Sequence, residues 1–473
     1  TYLTAESLQP SPTERAVIEK AITEAQLRAT ASEAAVFPLL KKLLTLELLP
    51  ELEPATVDLA REFVLRFQQL TGPVMAKGLE DTAFYNYNRL ISLNEVGGDP
   101  AQFGVSVEEF HNANSTMAAH WPHTLLATAS HDTKRGEDAR ARINVLSEIP
   151  DEWHDAANRW SQWNADKKVS LNGHFAPSAN EEYLFYQSLV SAWPVEADQS
   201  PDVAVLRERT GAFMLKAMRE SKANTNWLQP HVAYETAVRD FIGRVLADDA
   251  DARFRDDLEK FTRRVACWGR FNSLSQTLLK ITSPGVPDFY QGTELWDLSF
   301  VDPDNRRPVD FELRRSLLAD LKRQFNASPA LCAFDVLASE SGAMKLFVLW
   351  RALELRNRSR AVLDRGSYLP LPSFGARKDH VCGFARTLGE VSILTLVPRL
   401  ICGLTRGEEV PPLGASIWED TLVALPDAHS GDLFRNAFTG ETIEVRAGKG
   451  SSHLKLADML RRFPVALLES VSK

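Results

Sequence analysis

The stretch His123-Thr-Leu-Leu-Ala-Thr-Ala-Ser-His-Asp-Thr-Lys-Arg-Gly-Glu137 carries the clearest structural signal in this chain. A short apolar run at 125–129 gives way abruptly to a polar run at 130–135. An apolar run of this length between polar residues is typical of a strand that is buried on both faces. The next residues, 137–146, have helical spacing. The stretch therefore predicts a buried strand with a dense polar cluster at its carboxyl end, directly before a helix.

The polar cluster has two interpretations, and the residues alone leave both open. In a β/α barrel the active site lies at the carboxyl ends of the strands, where an ionised Asp132 would stabilise a developing oxocarbenium charge. His131 would then hydrogen-bond sugar hydroxyls, beside Lys134 and Arg135. Alternatively the cluster is a helix cap, because Asp and Ser before a helix often only accept hydrogen bonds from its free N–H groups. Crowded ionisable groups also occur in purely structural networks.

Composition places the chain among ordinary globular proteins and excludes several kinds of partner. Its 473 residues are too many to fold around one compact core. This length predicts roughly two to four domains, or one large barrel with attachments. Hydrophobic residues make up 44% and charged residues 25%, which is the usual balance. A formal net charge of −9 lacks the basic excess that a nucleic-acid partner requires. No apolar stretch reaches the roughly 18 residues of a membrane helix.

Cysteine spacing bears on the compartment. The four cysteines, Cys267, Cys332, Cys382 and Cys402, form no C-x-x-C pair. This spacing predicts neither a zinc site nor a disulfide framework. Reduced thiols of this kind fit a cytoplasmic protein.

The chain divides into five segments that differ in predicted secondary structure. They are a helical segment at 1–70, strands with loops at 71–135, a helical insertion at 136–280, a further strand with closing helices at 281–363, and a β domain at 364–473. The first strand is predicted at 74–76. The insertion is inferred because its helices are too many for one β/α unit. In the last segment, β-type runs at 391–397, 416–424 and 442–445 alternate with turns, which predicts antiparallel strands.

Two more strand ends carry polar and aromatic side chains that are candidates for sugar binding. After the 74–76 strand these are Lys77, Glu80, Asp81 and Tyr85. After a strand that begins near residue 284 they are Asp288, Tyr290, Gln291, Glu294, Trp296 and Arg306. Aromatic rings at such places can stack on the apolar C–H faces of sugars. The structural alternatives are that Tyr85 packs beneath its loop, and that Arg306 and Arg307 pair with Asp302 and Asp304.

Three motifs occur in a fixed order: Met-Ala-Lys-Gly-Leu-Glu-Asp-Thr-Ala-Phe-Tyr at 75–85, His-Asp-Thr-Lys-Arg-Gly-Glu-Asp at 131–138, and Pro-Gly-Val-Pro-Asp-Phe-Tyr-Gln-Gly-Thr-Glu at 284–294 with Asp-Pro-Asp-Asn-Arg-Arg at 302–307. Together they resemble the maltooligosyl trehalose synthase family, a branch of the α-amylase superfamily (glycoside hydrolase family 13). Lys-Ala-Asn-Thr-Asn-Trp at 222–227 also fits the pattern of that family's helical insertion. The resemblance covers most of residues 57–310 and, loosely, the β domain.

The resemblance implies an α/β fold. It would be the C-terminal part of a (β/α)8 TIM barrel with a large helical insertion, followed by an antiparallel β-sandwich-like domain. The 74–76 strand would be the sixth of the barrel, the strand before Asp132 the seventh, and the 284–294 segment would hold the eighth. The position of Asp132 is that of the superfamily's transition-state-stabilising Asp.

The resemblance also implies a reaction. The reducing-end α-1,4 linkage of a maltooligosaccharide would become an α,α-1,1 linkage by intramolecular transglycosylation, giving maltooligosyl trehalose. This chemistry needs no metal or organic cofactor, but it needs a closed pocket that keeps water out. The 77–85 loop, Lys134 with Arg135, and the 288–296 segment are the candidate walls of that pocket.

One departure from the family pattern limits what this chain can do. The superfamily's nucleophile motif, of the type Asp-x-x-Arg-hydrophobic-Asp-His, occurs nowhere in the sequence, and nothing upstream of Lys77 resembles the strand of the acid/base Glu. Reactions that retain the anomeric configuration of the sugar require two carboxyl groups about 5–5.5 Å apart. We therefore expect the chain alone to be inactive and its missing N-terminal part to be a partner. Two rival interpretations are another α-amylase superfamily glucan hydrolase or transferase, and a non-catalytic carbohydrate-binding fragment.

Overall fold

The computed structural model describes residues 3–4, 6–7, 9–30, 33–195, 202–247, 252–339, 341–426, 428–448 and 452–471. The chain forms two units, Thr1–Ala83 and Phe84–Lys473. Helices and sheets are both present, and the α/β class predicted from the sequence is confirmed.

The first unit is built from helices. They are α1 (Pro12–Arg28), α2 (Phe37–Leu44), α3 (Pro54–Met75) and a π-helical turn, Ala76–Glu80. Ser11 caps α1 and exchanges hydrogen bonds with Glu14 in a capping box, which fixes where the helix begins. A small apolar core that includes Ile22, Leu44 and Val64 holds these helices together.

The strand predicted at 74–76 is wrong, because these residues continue a helix. α3 runs through Pro73 to Met75, and Ala76 begins the π-helical turn. Val74 and Met75 are exposed on its surface. A short apolar run fits a helix as well as a strand, and a helix satisfies its own backbone groups whereas a strand needs a neighbour. The described part of the first unit contains no strand that could pair with this run.

The second unit contains most of the helices. In chain order they are α4 (Val107–His120), α5 (Glu137–Asn144), α6 (Pro150–Trp163), α7 (Ala179–Ala192), α8 (Val203–Ser221), α9 (Val232–Val245), α10 (Ala252–Thr282), α11 (Phe311–Ala327), α12 (Pro329–Ser339), α13 (Ala343–Arg358), α14 (Arg360–Arg365), α15 (Ile401–Leu404), α16 (Gly414–Trp418) and α17 (Leu456–Met459). Throughout the described ranges, no helix is both long enough and apolar enough to span a membrane.

Local signals set the starts of several of these helices. Ser106 caps α4 and forms a capping box with Glu109, and Asp310 caps α11 by accepting a hydrogen bond from the Leu313 amide. Trp153 and Trp160 of α6 are buried in the main apolar core, where aromatic rings contribute large contact areas. That core also contains Phe347 of α13 and Ile393 in the C-terminal region, so the long helical region shares one interior with the elements that follow it.

Two short parallel strands frame the helical region. β1 (Leu125–Ala127) is followed by the hairpin of β2 (Val169–Leu171) and β3 (His174–Ala176), and then by β4 (Val286–Asp288). β1 pairs with β4 in parallel, with Leu125 opposite Val286 and Ala127 opposite Asp288. The carboxyl ends of both strands therefore lie at one edge.

The expectation that the β1 strand is buried on both faces is wrong. Leu125 is 70% exposed and Val286 opposite it is 40% exposed. The physical reason is that β4 is the strand with which β1 pairs in the described chain, so the pair has open edges. An apolar run predicts burial only where neighbouring elements cover it.

The C-terminal region forms two antiparallel sheets. Their strands are β5 (Ser367–Pro370), β6 (Ser373–Phe374), β7 (Val381–Leu388), β8 (Val391–Pro398), β9 (Leu422–Leu425), β10 (Leu433–Asn436), β11 (Thr442–Glu444), β12 (Ser452–Lys455) and β13 (Ala466–Ser470). The orders are β11-β10-β13-β8-β7-β5 and β12-β9-β6. The prediction of a strand at 416–424 is wrong for the first part of this run, where α16 forms and buries Trp418. It is confirmed for the last part, where β9 begins at Leu422.

Candidate functional site

The predicted polar cluster begins at the carboxyl edge of the β1–β4 pair. β1 ends at Ala127, and the chain then makes a tight turn. Ser130 Oγ accepts a hydrogen bond from the Asp132 amide at 3.2 Å, and Thr133 Oγ1 donates to the Ser130 carbonyl at 2.8 Å. The turn leaves the Asp132 side chain exposed at its tip. Asp288, the last residue of β4, is exposed at the same edge.

The loop after β4 holds this turn. Asn305 donates from Nδ2 to the His131 carbonyl at 2.9 Å and to the Ser130 carbonyl at 3.4 Å. The His131 side chain stays exposed beside Asp132. The structure therefore brings His131, Asp132 and the loop of Arg306 together through Asn305, which the sequence did not single out.

Ion pairs fix the loop that carries Asn305. Arg306 pairs with Asp302, and Arg307 Nε lies 3.2 Å from Asp304 Oδ1. Arg209 on α8 adds two hydrogen bonds of 2.8 Å to Asp304. Burial by itself would raise the pKa of Asp304, but the bonds and charge of Arg209 outweigh it and lower that pKa. The structural pairing considered from the sequence is the one formed here.

Lys134 and Arg135 lie on the inner side of the turn. The Glu95 carboxylate accepts hydrogen bonds from the Lys134 amide at 2.7 Å and the Arg135 amide at 3.4 Å, and it pairs with Arg140 at 2.7 Å. The Arg135 guanidinium donates to the Ile91 carbonyl at 3.3 Å, and burial lowers the pKa of Arg135 to about 10. Both residues are buried, which suits support of the turn better than the sugar contact expected from the sequence.

A group of buried charges next to the end of β1 was missed by the sequence analysis. This buried charge cluster consists of Glu137, Asp138, Lys280 and Lys345, and the Thr128 hydroxyl adjoins it. The Lys345 ammonium contacts Glu137 Oε1 at 2.6 Å and Asp138 Oδ2 at 2.7 Å. Lys280 Nζ donates to Thr128 Oγ1 at 2.8 Å and lies 3.3 Å from Glu137 Oε2. The cluster ties the end of β1 to α5, α10 and α13.

The pKa values in the cluster reflect burial and pairing. Burial alone would raise the pKa of Glu137, but Lys345 and Lys280 outweigh it and lower it to about 2. Burial raises the pKa of Asp138 to about 6, against the opposing effect of Lys345. Burial also lowers the pKa of Lys280; it would lower that of Lys345, but the two carboxylates raise it. Two cations thus balance two carboxylates, an arrangement that is stable only as a set.

The sequence held one signal for this cluster. Lys345 interrupts the apolar run Ala-Met-Lys-Leu-Phe-Val-Leu-Trp at 343–350, and Lys280 lies between Leu279 and Ile281. A lysine inside an apolar helical run is rarely buried unless it is paired. Its partner could not be read from the sequence, because Asp138 is 207 residues away from Lys345.

The other predicted residues of the second unit have different environments. Glu294 pairs with Arg314 at 2.8 Å, and Trp296 packs against the main core. The Tyr290 carbonyl accepts a hydrogen bond from Thr293 Oγ1 at 2.7 Å, while Gln291 is exposed. Tyr85 is 4% exposed, which agrees with the alternative that it packs beneath its loop.

Three predicted residues belong to the first unit. Lys77 forms an ion pair of 2.5 Å with Asp81 across one helical turn, and Glu80 ends the π-helical turn between them. Lys77 is largely exposed in this pair. In the ranges that the structure describes, no three His, Cys, Asp or Glu side chains are arranged to hold a metal ion.

A close backbone approach at Gly136 predicts a sensitive position. A Cβ atom added there would lie 2.7 Å from Asp297 Cγ and closer still to the Asp297 carbonyl. Gly136→Ala must therefore push the 297 loop away from the start of α5. We expect it to lower the free energy of unfolding by about 1–3 kcal/mol, measured by urea denaturation.

Gly211→Ala is the matched control, because a Cβ added at this position in α8 meets no atom within 4 Å. Alanine is favoured over glycine inside helices by about 0.5–1 kcal/mol, so this variant should be slightly more stable than the parent. Equal destabilisation by both changes would contradict the assignment of a tight contact at Gly136.

Comparisons with known proteins find relatives of this chain. A curated protein of Mycobacterium tuberculosis (strain CDC 1551 / Oshkosh), provisionally named maltooligosyl trehalose synthase, is 36% identical over 426 residues, which are 90% of this chain and 48% of that protein. The solved maltooligosyltrehalose synthase of Arthrobacter ramosus matches 97% of this chain and 51% of its own, at 33% identity and a TM-score of 0.75. A hypothetical maltooligosyl trehalose synthase of Sulfolobus tokodaii matches 99% of this chain and 51% of its own, at 27% identity and a TM-score of 0.65. No protein-family model matches the chain.

Fold and site together define an α/β protein with a carboxylate-bearing turn at the carboxyl ends of parallel strands. Among proteins of this class, the chain belongs to the maltooligosyl trehalose synthase family, and the resemblance identified from its three motifs is confirmed. The chain spans about half the length of the relatives that it matches.

Proposed function

We propose that the chain is part of an enzyme that converts the reducing-end α-1,4 linkage of maltooligosaccharides to an α,α-1,1 linkage. The observation that carries the proposal is the exposed Asp132 at the end of β1, in a motif that resembles the motif of a family whose members match 90% or more of the chain. The reaction is an isomerisation by intramolecular transglycosylation, and no metal or organic cofactor takes part in it.

In this proposal β1 and β4 are the seventh and eighth strands of a (β/α)8 barrel. Their parallel pairing and the helices α5 to α10 between them support it, because parallel neighbours require a crossover connection. The remaining half of the protein supplies the other strands. In the same proposal the two C-terminal sheets pack as a β-sandwich, which is supported by an apolar core that Leu394 and Leu396 of β8 share with Val423 and Leu425 of β9.

The chemical roles follow from the positions of the groups. Asp132 is a carboxylate at the open edge, where it stabilises the positive charge that develops as the glycosidic bond breaks. His131, next to it, hydrogen-bonds sugar hydroxyls. The nucleophile and the acid/base are supplied by the remaining half, since their motifs are not in this sequence. The enzyme acts in the cytoplasm, which suits its free cysteines.

The proposal is tested by following reducing ends and free glucose during incubation with maltopentaose. The chain is assayed alone and after mixing with the half of a relative that this chain does not span. We expect no reaction by the chain alone and loss of reducing ends without matching glucose release in the mixture. Glucose or shorter maltodextrins as main products would favour a hydrolase or transferase of the α-amylase superfamily. Binding without any reaction in the mixture would favour a non-catalytic carbohydrate-binding protein.

A further inference from the structure

The loop between α8 and α9 presents an aromatic surface, apart from the Asp132 turn. Within this loop, residues 222–231, Trp227 is 50% exposed. Arg219, in the last turn of α8, stacks over its indole with the guanidinium carbon 4.8 Å from the ring centroid. Because the guanidinium covers one face and half of the residue remains exposed, the opposite face of the ring is open to a ligand.

The ring is held in a fixed orientation by the loop around it. Arg219 forms two hydrogen bonds, of 2.9 and 2.7 Å, to Glu235 on α9. The same carboxylate accepts a hydrogen bond of 2.7 Å from Thr225 Oγ1. Asn224 Nδ2 donates to Glu181 at 3.1 Å and to the Tyr234 hydroxyl at 3.0 Å. These bonds anchor both the side chain beneath the indole and the backbone before it, so little freedom is lost when a ligand binds.

The loop that carries the ring also carries polar side chains. Asn226 Oδ1 accepts hydrogen bonds from the Leu228 and Gln229 amides at 3.0 and 2.8 Å, which fixes the residue next to Trp227. Gln229 and His231 are exposed on the same loop. An exposed aromatic ring on a loop with polar side chains suits a sugar, whose C–H face stacks while its hydroxyls form hydrogen bonds.

One helix connects this surface to the loop that holds the Asp132 turn. Lys216 Nζ donates to the Asp302 carbonyl at 2.7 Å, and Lys216 and Arg219 are neighbours on one face of α8 because they are three residues apart. The Asn86 amide donates to the Ser221 carbonyl at 2.9 Å. This bond places Tyr87, the next residue, near the end of α8. Tyr87 is also exposed and has a guanidinium over its ring.

We infer that Trp227 is a sugar-stacking residue of a second subsite, which binds a glucose unit of the maltooligosaccharide distant from the reducing end. The inference rests on the proposed function, because it takes the ligand to be that substrate. It adds a requirement for length: a long oligosaccharide held at the Asp132 turn also reaches Trp227, and a short one held there does not.

The test measures binding of maltoheptaose and maltotriose to the full chain by titration calorimetry. We expect Trp227→Ala to weaken maltoheptaose binding about tenfold and to leave the weaker maltotriose binding nearly unchanged. Trp227→Phe, which keeps a stacking ring, should recover part of the affinity. Far-ultraviolet circular dichroism checks that the variants are folded, as expected for an exposed position.

Leu228→Ala is the matched control, because Leu228 is the next residue and is 93% exposed. A sugar platform predicts no effect of this change, whereas an apolar docking surface for another protein predicts equal effects at both positions, which would overturn the inference. Equal maltoheptaose affinities of the parent and Trp227→Ala would overturn it as well. The maltopentaose assay separates the two proposals, since loss of reducing ends in the mixture would uphold the proposed function even if Trp227 had no effect.

Discussion

Lys345→Met is expected to lower the free energy of unfolding by about 3–5 kcal/mol. Methionine keeps the length of the side chain but removes the ammonium that contacts Glu137 at 2.6 Å and Asp138 at 2.7 Å. Two carboxylates would then share Lys280 in an interior where all these groups are buried. Removal of one partner from a buried ion pair is costly because the other charge loses its compensation. Urea denaturation followed by circular dichroism measures the effect.

Two further variants separate a charge effect from a packing effect. Lys322→Met makes the same change at an exposed position of α11 and should alter the free energy of unfolding by less than about 0.5 kcal/mol. Adding Asp138→Asn to Lys345→Met removes the uncompensated charge and leaves Glu137 paired with Lys280, so it should restore much of the loss. A double variant as unstable as Lys345→Met would contradict the electrostatic explanation and point to packing.

The pH dependence of Lys345→Met has a definite sign. Without the ammonium, burial holds the pKa of Asp138 above its value in the unfolded chain, so the folded state binds more protons at this carboxyl than the unfolded state. Stability therefore falls as the pH rises from the unfolded pKa, about 4, through the raised folded value. The deficit relative to the parent should be smaller at pH 5 than at pH 7.

Features decided by neighbouring residues were the ones that the sequence predicted well. The helical spacing of residues 137–146 predicted a helix there, and α5 begins at Glu137. The strands ending near Ala127 and Asp288 were recognised from apolar runs that stop at polar residues. Each of these signals operates within one helical turn or one strand, so no distant contact is needed to interpret it.

Features decided by distant residues could not be predicted. Val74 lies in a helix although its run resembles a buried strand, because the choice depends on whether a second strand is present. Lys134 and Arg135 belong to the same polar run as Asp132, yet they are buried while Asp132 is exposed. The Glu95 carboxylate decides their orientation, and nothing near residue 134 in the sequence indicates it.

Asp132→Asn is expected to reduce the rate of isomerisation about 10³-fold, in the mixture of this chain with the half of a relative that it does not span. The amide has the same size as the carboxylate but carries no charge, so it cannot stabilise the oxocarbenium character of the transition state. The loss should fall on kcat and leave KM for maltopentaose nearly unchanged, because the charge interaction develops only as the bond breaks. Initial rates of reducing-end loss measure both constants.

The exposed position of Asp132 makes the effect of this substitution specific to catalysis. Its side chain lies at the tip of the turn, whose backbone is held by Ser130, Thr133 and Asn305, so the variant should unfold at the same urea concentration as the parent. Asp155→Asn, at an exposed position of α6, is the matched control and should retain full activity. Full turnover by Asp132→Asn would exclude Asp132 from catalysis, and the polar cluster would then have only the capping role that the sequence also allowed. A lost rate with unchanged stability cannot come from a cap, because a cap contributes to folding and not to the transition state of the reaction.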